Sequence, residues 1–309
     1  MIPVDQDFKG VTWYDVNGIE DKATIEKIGQ VFNLHPVIIE DILDVEQRPK
    51  LVETLEDYLF VEFNTFFRIP TTCEIQTLQY SLVITKASII TFQQDSGKDY
   101  FTPIRDRIKT KHGVVRKMGL DFLLYLILEF AIDNYYSLME DFEEIIDKLE
   151  DSIIIEATSD KITDLQEIKR SLIYMRKSIW PMREILNRLE MMEQKVVSKA
   201  LRIYYRNLYE QIVYLVDMTE TFRDILSTTF DIHLSTQSNK LNIIVKTLTI
   251  ISVIFTPLNL IVGFFGINWM NDPEYRSVPI PFLGLILVTI SMFIIATVLV
   301  RVFRKRKWF

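Results

Sequence analysis

Cysteine and histidine are scarce in this chain of 309 residues: Cys73 is the only cysteine, and His35, His112 and His233 stand far apart. One cysteine cannot form a disulfide within the chain, and no thiolate or imidazole metal cluster is expected within one chain. The sequence also lacks a phosphate-binding glycine-rich loop, a Gly-x-Ser-x-Gly elbow and a His-Glu-x-x-His motif. We therefore predict that the protein is not an enzyme and has no cofactor.

Charged residues are missing from two long stretches near the C-terminus. No charged residue occurs from Val278 to Val300, and Lys246 is the only one from Asn242 to Met270. Each stretch is long enough to cross ~30 Å of hydrocarbon, which takes roughly 20 helical residues. A buried helical hairpin of a soluble protein is the alternative, but two adjacent stretches of this length favour transmembrane helices.

The flanks of these stretches predict the orientation. The loop between them carries Asp272 and Glu274 against Arg276, whereas basic residues crowd the tail. These are Arg301, Arg304, Lys305, Arg306 and Lys307. By the positive-inside rule the tail is cytoplasmic, and two spans then place the N-terminus there as well. With no signal peptide in the first ten residues, we expect a multi-pass protein of the cell (inner) membrane. The basic run is too short to indicate nucleic-acid binding.

Strand and helix signals alternate in residues 1–115, which we predict to be a cytoplasmic α/β domain. The predicted strands are Trp13–Val16, Tyr58–Phe67, Gln79–Thr85 and Ser88–Phe92. The predicted helices are Ala23–Val31 and Pro36–Asp44, the second with proline at its first position.

Helical periodicity dominates after that domain. Residues 116–203 predict a cytoplasmic helical region with helices at about 120–156 and 160–179 and a break or kink at Pro181. A single helix of some 60 residues then follows, since glycine and proline are absent until Pro257. We divide it into a stalk, 204–242, and a transmembrane helix, 243–266. The loop 267–277, a second transmembrane helix 278–300 and the basic tail 301–309 complete this α+β membrane protein.

A polar stripe runs along the long helix at alternating steps of four and three residues, a spacing that keeps one seam facing a supercoiled neighbour. Its members are Asp217, Thr221, Asp224, Thr228, Asp231, Ser235, Ser238, Asn242, Val245, Thr249, Ser252, Thr256, Asn259 and Gly263. A solvated face or helix-packing glue could explain parts of the stripe. The common register through the membrane segment favours a continuous water-filled lumen, because unsatisfied polar groups in hydrocarbon cost about 2 to 7 kcal/mol each.

One such helix per chain cannot enclose a lumen, so we predict a symmetric homo-oligomer in the lipid bilayer. Rings of Asp217, Asp224 and Asp231 would attract cations, and Val245 with Leu248 would form an apolar constriction. A pore lined by neutral oxygens suits a hydrated divalent cation, which favours Mg²⁺ while admitting Zn²⁺, Co²⁺ or Ni²⁺.

Several motifs, taken together and in order, make the chain resemble the CorA superfamily of magnesium transporters. They are His35-Pro36, Glu40-Asp41-Ile42-Leu43, Gln47-Arg48-Pro49-Lys50, Lys177-Ser178-Ile179-Trp180-Pro181-Met182-Arg183-Glu184, Glu220-Thr221-Phe222-Arg223-Asp224 and Phe265-Gly266-Ile267-Asn268. The resemblance implies a funnel-shaped homopentamer whose long helices line the pore. It also implies a selectivity filter of Gly266, Ile267 and Asn268, with Gly266 at the turn that ends the helix.

The resemblance further assigns roles to single residues. Asn268 and Asn242 would form outer and inner rings that contact the hydrated cation through its water shell. Asp272 and Glu274 would form a negative entrance in the loop. The family's cytoplasmic magnesium-sensing aspartates are absent, because Asn207 and Ile69 stand at the matching positions.

The filter motif departs from the family signature Tyr-Gly-Met-Asn, since Phe265 replaces tyrosine and Ile267 replaces methionine. The Gly-Ile-Asn variant resembles the zinc-transporting ZntB branch. Three functions are therefore open: a CorA-like channel for Mg²⁺ that could also pass Co²⁺ or Ni²⁺; a ZntB-like Zn²⁺ transporter, with or without proton coupling; and a membrane-anchored scaffold without transport.

Overall fold

The structure is a computed structural model that describes residues 2–8, 11–45, 47–54, 58–69, 73–94, 100–109, 119–155, 159–192, 197–268, 280–306 and 308. The chain forms two compact units, Met1–Asp231 and Ile232–Phe309. Each unit is described by itself below.

The first unit opens with a mixed α/β region. Its strands are β1 (Ile2–Phe8), β2 (Val11–Asn17), β3 (Lys50–Glu53), β4 (Leu59–Arg68), β5 (Ile75–Ile84) and β6 (Ser88–Gln93). Its helices are α1 (Lys22–Val31), α2 (Pro36–Leu43) and α3 (Thr102–Lys109). The predicted strands and helices are confirmed to within a few residues, whereas β1, β3 and α3 were not predicted.

The six strands form one sheet in the order β1-β2-β6-β5-β4-β3. The β2–β6 pair is parallel and the other pairs are antiparallel. Alternate residues of a strand point to opposite faces, and both faces are covered here. Phe60 packs with the helices α1 and α2, whereas its neighbours Val61 and Phe63 pack into the larger core that includes α3 and the long helices that follow.

A buried polar network lies on the sheet around Glu62 of β4. The Glu62 side chain has no exposed surface, and one of its carboxylate oxygens accepts a hydrogen bond from Gln79 Nε2 at 2.5 Å. The other oxygen lies 3.5 Å from Lys50 Nζ, which in turn lies 2.6 Å from Asp41. Burial raises the pKa of the Glu62 carboxyl to about 8, although the Lys50 charge acts in the opposite direction.

Two of the motifs named above meet at this network, since Asp41 belongs to Glu40-Asp41-Ile42-Leu43 and Lys50 to Gln47-Arg48-Pro49-Lys50. A third motif contacts the same strand nearby, where Ser178 Oγ accepts a hydrogen bond from Asn64 Nδ2 at 3.3 Å. The His35-Pro36 pair acts locally, because His35 Nδ1 caps α2 by accepting from the Val37 amide at 3.3 Å.

Two long helices complete the core of the first unit: α4 (Leu120–Ile155) and α5 (Ser159–Met191). The sequence predicted a break or kink at Pro181, and the break is wrong, since α5 runs through this proline as one helix. Ile179 and Met182 on either side of it are fully buried. Packing on both sides of the proline offsets the single backbone hydrogen bond that it cannot donate.

The long predicted helix is confirmed as α6, Arg202–Asn268, with 67 residues. It begins in the first unit and continues through most of the second, which also contains α7, Ile280–Lys305. Gly266 lies inside α6, so the helix extends two residues beyond the position where the resemblance placed its end. α7 includes Arg301 to Lys305, which the sequence pattern had placed in the tail.

Three helices of the described chain are long and apolar enough to cross a membrane: α4, α6 and α7. The apolar window of α4 is 67% buried inside the protein, whereas those of α6 and α7 are each 6% buried. α4 therefore satisfies its apolar surface in the core of its own unit. The apolar side chains of α6 and α7 need lipid or other copies of the chain as neighbours.

Candidate functional site: the stripe of helix α6

In the first unit, α6 packs against its own protomer through one face. The buried residues of this face, called here the seam, recur at alternating steps of three and four. They are Tyr205, Leu208, Ile212, Leu215, Thr219, Phe222, Leu226 and Thr229. This heptad spacing is that of an apolar coiled-coil interface, so the seam provides the packing that holds the helix in place.

The polar stripe lies on the opposite face of the same helix. Each stripe residue from Asp217 to Asp231 follows a seam residue by two positions, which is a rotation of about 200° around the helix axis. All five of these stripe residues are exposed. The first unit thus leaves the stripe face without neighbours from its own described residues.

The stripe continues into the second unit. Its residues from Ser235 to Gly263 are exposed, except for the half-buried Thr249. The face two positions before the stripe is mixed here: Ile250 is buried and Ile254 and Ile261 are half-buried, whereas Ile243 and Thr247 are exposed. The stripe therefore keeps its register and its exposure along the helix from Asp217 to Gly263.

Several threonines of the stripe present acceptor oxygens. Thr221, Thr228 and Thr249 each donate their hydroxyl hydrogen to the backbone carbonyl four residues earlier, at 2.9, 3.0 and 2.7 Å. A hydroxyl that donates inward keeps its lone pairs for an outside donor. The water shell of a cation consists of such donors, so these threonines suit contact with a hydrated cation.

The carboxylates of the stripe differ in their electrostatic setting. Asp217, Asp224 and Asp231 are all exposed. Asp224 forms an ion pair with its neighbour Arg223 at 3.0 Å, which offsets part of its charge. We therefore expect Asp217 and Asp231 to contribute more than Asp224 to the attraction of cations.

The structure describes some of the other predicted site residues. Val245 and Leu248 are 59% and 63% exposed, and Asn242 is exposed two turns before Thr249. The last three residues of α6 are Gly266, Ile267 and Asn268, of which the structure describes the backbone. Asp272 and Glu274 lie outside the described residues.

The seam is the functional feature that sequence reasoning missed. Its mostly apolar residues recur in the sequence at steps of three and four, parallel to the stripe. The buried seam explains why the stripe faces outward from the protomer, because packing of one face of a helix fixes the direction of the other.

Comparison with known proteins gives the family. The family described as CorA-like Mg2+ transporter protein matches residues 8–305. The Cobalt/magnesium transport protein CorA of Thermotoga maritima is 37% identical over 297 residues, which cover 96% of this chain and 83% of that protein. The protein of the same name from Methanocaldococcus jannaschii is 26% identical over 96% of this chain and 90% of its own length.

Solved structures agree on the fold. The complete CorA magnesium transporter from M. jannaschii superposes with a TM-score of 0.82 at 24% identity, covering 97% of this chain and 92% of that one. The ZntB cytoplasmic domain from Vibrio parahaemolyticus has a TM-score of 0.62 at 14% identity, covering 74% and 88%. At these identities the structural matches establish a shared fold. Together with the family match, they show that this chain belongs to the family of CorA-like Mg²⁺ transporter proteins and is a CorA-like divalent-cation transporter.

Proposed function

We propose that several copies of this transporter surround a common axis, with the stripe of α6 lining a water-filled passage for hydrated divalent cations. The observation that carries this proposal is the position of the stripe opposite the seam from Asp217 to Asp231, together with its exposure up to Gly263 at every position except the half-buried Thr249. A helix held by one face against its own protomer offers the other face to a shared axis. Polar groups along that face remain hydrated only if the axis holds water.

The faces of α6 on either side of the stripe carry exposed apolar side chains, which neighbouring copies and lipid would cover. Phe255 and Val262 on one side of the stripe are 56% and 53% exposed, and Leu260 on the other side is 73% exposed. These apolar flanks suit helix neighbours in an oligomer and the acyl chains around it. We propose a homopentamer, following the resemblance to the family, in the cell (inner) membrane with both termini in the cytoplasm. The proposed transmembrane segments are residues 243–266 and 278–300.

Magnesium is the cation that best fits the stripe. Apart from Val245 and Gly263, the side chains of the stripe are carboxylates, amides and hydroxyls. Mg²⁺ prefers such oxygen ligands and gives up its waters reluctantly. A passage of acceptor oxygens holds such an ion through its water shell. Hydrated Co²⁺ and Ni²⁺ would pass by the same contacts, and the relatives from T. maritima and M. jannaschii are named as cobalt/magnesium transport proteins.

The resemblance to the CorA superfamily assigns particular residues to the two ends of the passage. Gly266, Ile267 and Asn268 would form the filter at the outer mouth, with Asp272 and Glu274 at its entrance. Asn242 would form an inner ring, and Val245 with Leu248 would form the apolar constriction. The replacement of methionine by Ile267 favours one alternative, a Zn²⁺ transporter.

Uptake in proteoliposomes tests the function. We expect Mg²⁺ to enter vesicles that contain the full chain, with Co²⁺ and Ni²⁺ also carried, and uptake to increase with an inside-negative potential. At ~100 mV that potential contributes about 2.3 kcal/mol per elementary charge. Asn268→Ala should reduce uptake of every carried ion by about tenfold or more, because the filter would lose a ring of amide oxygens.

The ion panel includes Zn²⁺ with and without a pH gradient. Uptake of Zn²⁺ in preference to Mg²⁺ would identify the zinc alternative, and dependence on the gradient would identify proton coupling. Equal flux in empty vesicles, in wild-type vesicles and in Asn268→Ala vesicles would mean that the chain does not transport these ions.

A further inference from the structure

The backbone amide and the backbone carbonyl of Cys73 both form hydrogen bonds with side chains of α5. Its amide donates to Glu167 Oε2 at 3.2 Å, and its carbonyl accepts from Ser171 Oγ at 3.2 Å. Glu167 and Ser171 are four residues apart and share one face of α5. The position of Cys73 is therefore fixed relative to this helix.

The side chain of Cys73 points into a cluster with two carboxylates. Its sulfur, one oxygen of Asp164 and one oxygen of Glu167 all lie within 4.8 Å of one another. Asp164 precedes Glu167 by three residues on the same helix, so both reach the same spot. Cys73 is 9% exposed and its thiol is free. The two carboxylates are half-buried and give the cluster access to water.

The cluster has more negative than positive charge. Asp164 and Glu167 contribute two carboxylates beside the Cys73 sulfur, whereas the guanidinium of Arg68 contributes one positive charge near the thiol. Arg170 pairs with Glu74 at 4.0 Å, outside the cluster. A cation at the cluster would therefore be electrostatically favourable.

We propose that Cys73, Asp164 and Glu167 form a binding site for a thiophilic divalent cation, of which Zn²⁺ and Co²⁺ are the relevant examples. Sulfur is a soft ligand, so the site should favour these ions over Mg²⁺. Metal–sulfur and metal–oxygen bonds of about 2.3 and 2.1 Å place ligands roughly 3.5 Å apart around a tetrahedral ion. The three atoms lie within 4.8 Å of one another, so binding would require the carboxylates to rotate until that spacing is reached.

The three side chains leave a fourth position for water, as in zinc sites with three protein ligands. On binding, the thiol loses its proton to solvent and the thiolate coordinates the ion. None of the three residues belongs to α6, so the site is separate from the stripe. It would let the unit Met1–Asp231 bind transition metals independently of transport.

Cobalt absorption tests this site directly, because Cys73 is the only cysteine in the chain. We expect Co²⁺ added to the full chain in detergent to give a thiolate-to-cobalt charge-transfer band in the near ultraviolet. Zn²⁺ should remove the band, and millimolar Mg²⁺ should not. Cys73→Ser should show no band, and Asp164→Asn or Glu167→Gln should need at least about tenfold more Co²⁺.

Two controls separate the site from general effects. Glu74→Gln removes an adjacent acid that lies outside the cluster and should titrate like the wild type. Asn268→Ala should keep the band, which distinguishes this site from failure of transport. In the wild-type protein, Zn²⁺ should also slow alkylation of Cys73, a measurement that needs no variant. Absence of a band in the wild type, or unchanged titration of both carboxylate variants, would mean that Cys73 is only a core residue.

Discussion

We expect a charged thiosulfonate reagent to remove most of the Mg²⁺ uptake of Thr256→Cys and to leave Val262→Cys unaffected. Thr256 lies on the stripe and Val262 lies on an apolar flank, about 100° around the helix from the adjacent stripe residue Gly263. A cysteine in a narrow wet passage forms the reactive thiolate, and the attached charged group then blocks the ion. A loss of about tenfold or more in uptake would follow, because one modified residue per copy forms a whole ring.

The parent chain is the reagent control and should keep its uptake, since its single cysteine, Cys73, lies outside α6. Ser252→Cys and Asn259→Cys should react like Thr256→Cys, because all three lie on the stripe. The proposal of a central passage would be wrong if the stripe cysteines failed to react while Val262→Cys reacted. That result would place the flank in water and the stripe in lipid or in protein packing.

Much of the fold could be predicted because its signals are local. The strand β4 is a ten-residue run rich in aromatic side chains, α6 has no glycine or proline before Pro257, and α2 begins with proline. The short strand β3, with the sequence KLVE, was missed because four residues carry too little pattern. β1 was missed for a different reason. Its sequence, IPVDQDF, contains proline and two acidic residues, which are uncommon in strands, and its pairing with β2 cannot be recognised from local sequence.

At Pro181 the prediction erred in the opposite way, because it gave too much weight to the local helix-breaking preference of proline. Proline in the interior of a helix costs about 3 kcal/mol, so a break was the reasonable prediction. Burial of Ile179, Met182 and Ile185 in the shared core stabilises the continuous helix. Tertiary packing thus outweighed the local preference.

The candidate sites also differ in whether local sequence reveals them. The stripe is a periodic pattern within one helix and was visible in the sequence. The cluster of Cys73 with Glu167 joins residues 94 positions apart, so no local pattern could reveal it. The Glu62 network likewise joins strands and a helix, and only the quoted motifs around Asp41 and Lys50 hinted that these residues act together.

Charge balance explains the state of Glu62 in this network. Lys50 lies nearer to Asp41, at 2.6 Å, than to Glu62, at 3.5 Å. One ammonium group, that of Lys50, faces the two carboxyl groups of Asp41 and Glu62, so ionisation of both carboxyls would leave one negative charge without a partner. Burial of an unbalanced charge is costly, which is why the pKa of Glu62 rises from 4.5 to about 8.

This shift makes the stability of the first unit depend on pH. Between pH 4.5 and 8 the folded state keeps a proton on Glu62 that the unfolded state has lost, so the free energy of unfolding falls as pH rises. The full effect is on the order of 5 kcal/mol, since one pKa unit is worth about 1.4 kcal/mol. We expect the wild-type protein to lose more stability than Glu62→Gln between pH 5 and pH 8.

Thermal unfolding of the full chain in detergent, followed by tryptophan fluorescence, measures this difference. The amide introduced by Glu62→Gln keeps an oxygen for the hydrogen bond from Gln79 and cannot ionise, so the Tm of this variant should fall less across this range. Glu140→Gln, on the exposed surface of α4, is the matched control and should follow the wild type. Parallel pH profiles for wild type and Glu62→Gln would show that Glu62 is ionised in the folded protein, with Lys50 shared between two carboxylates.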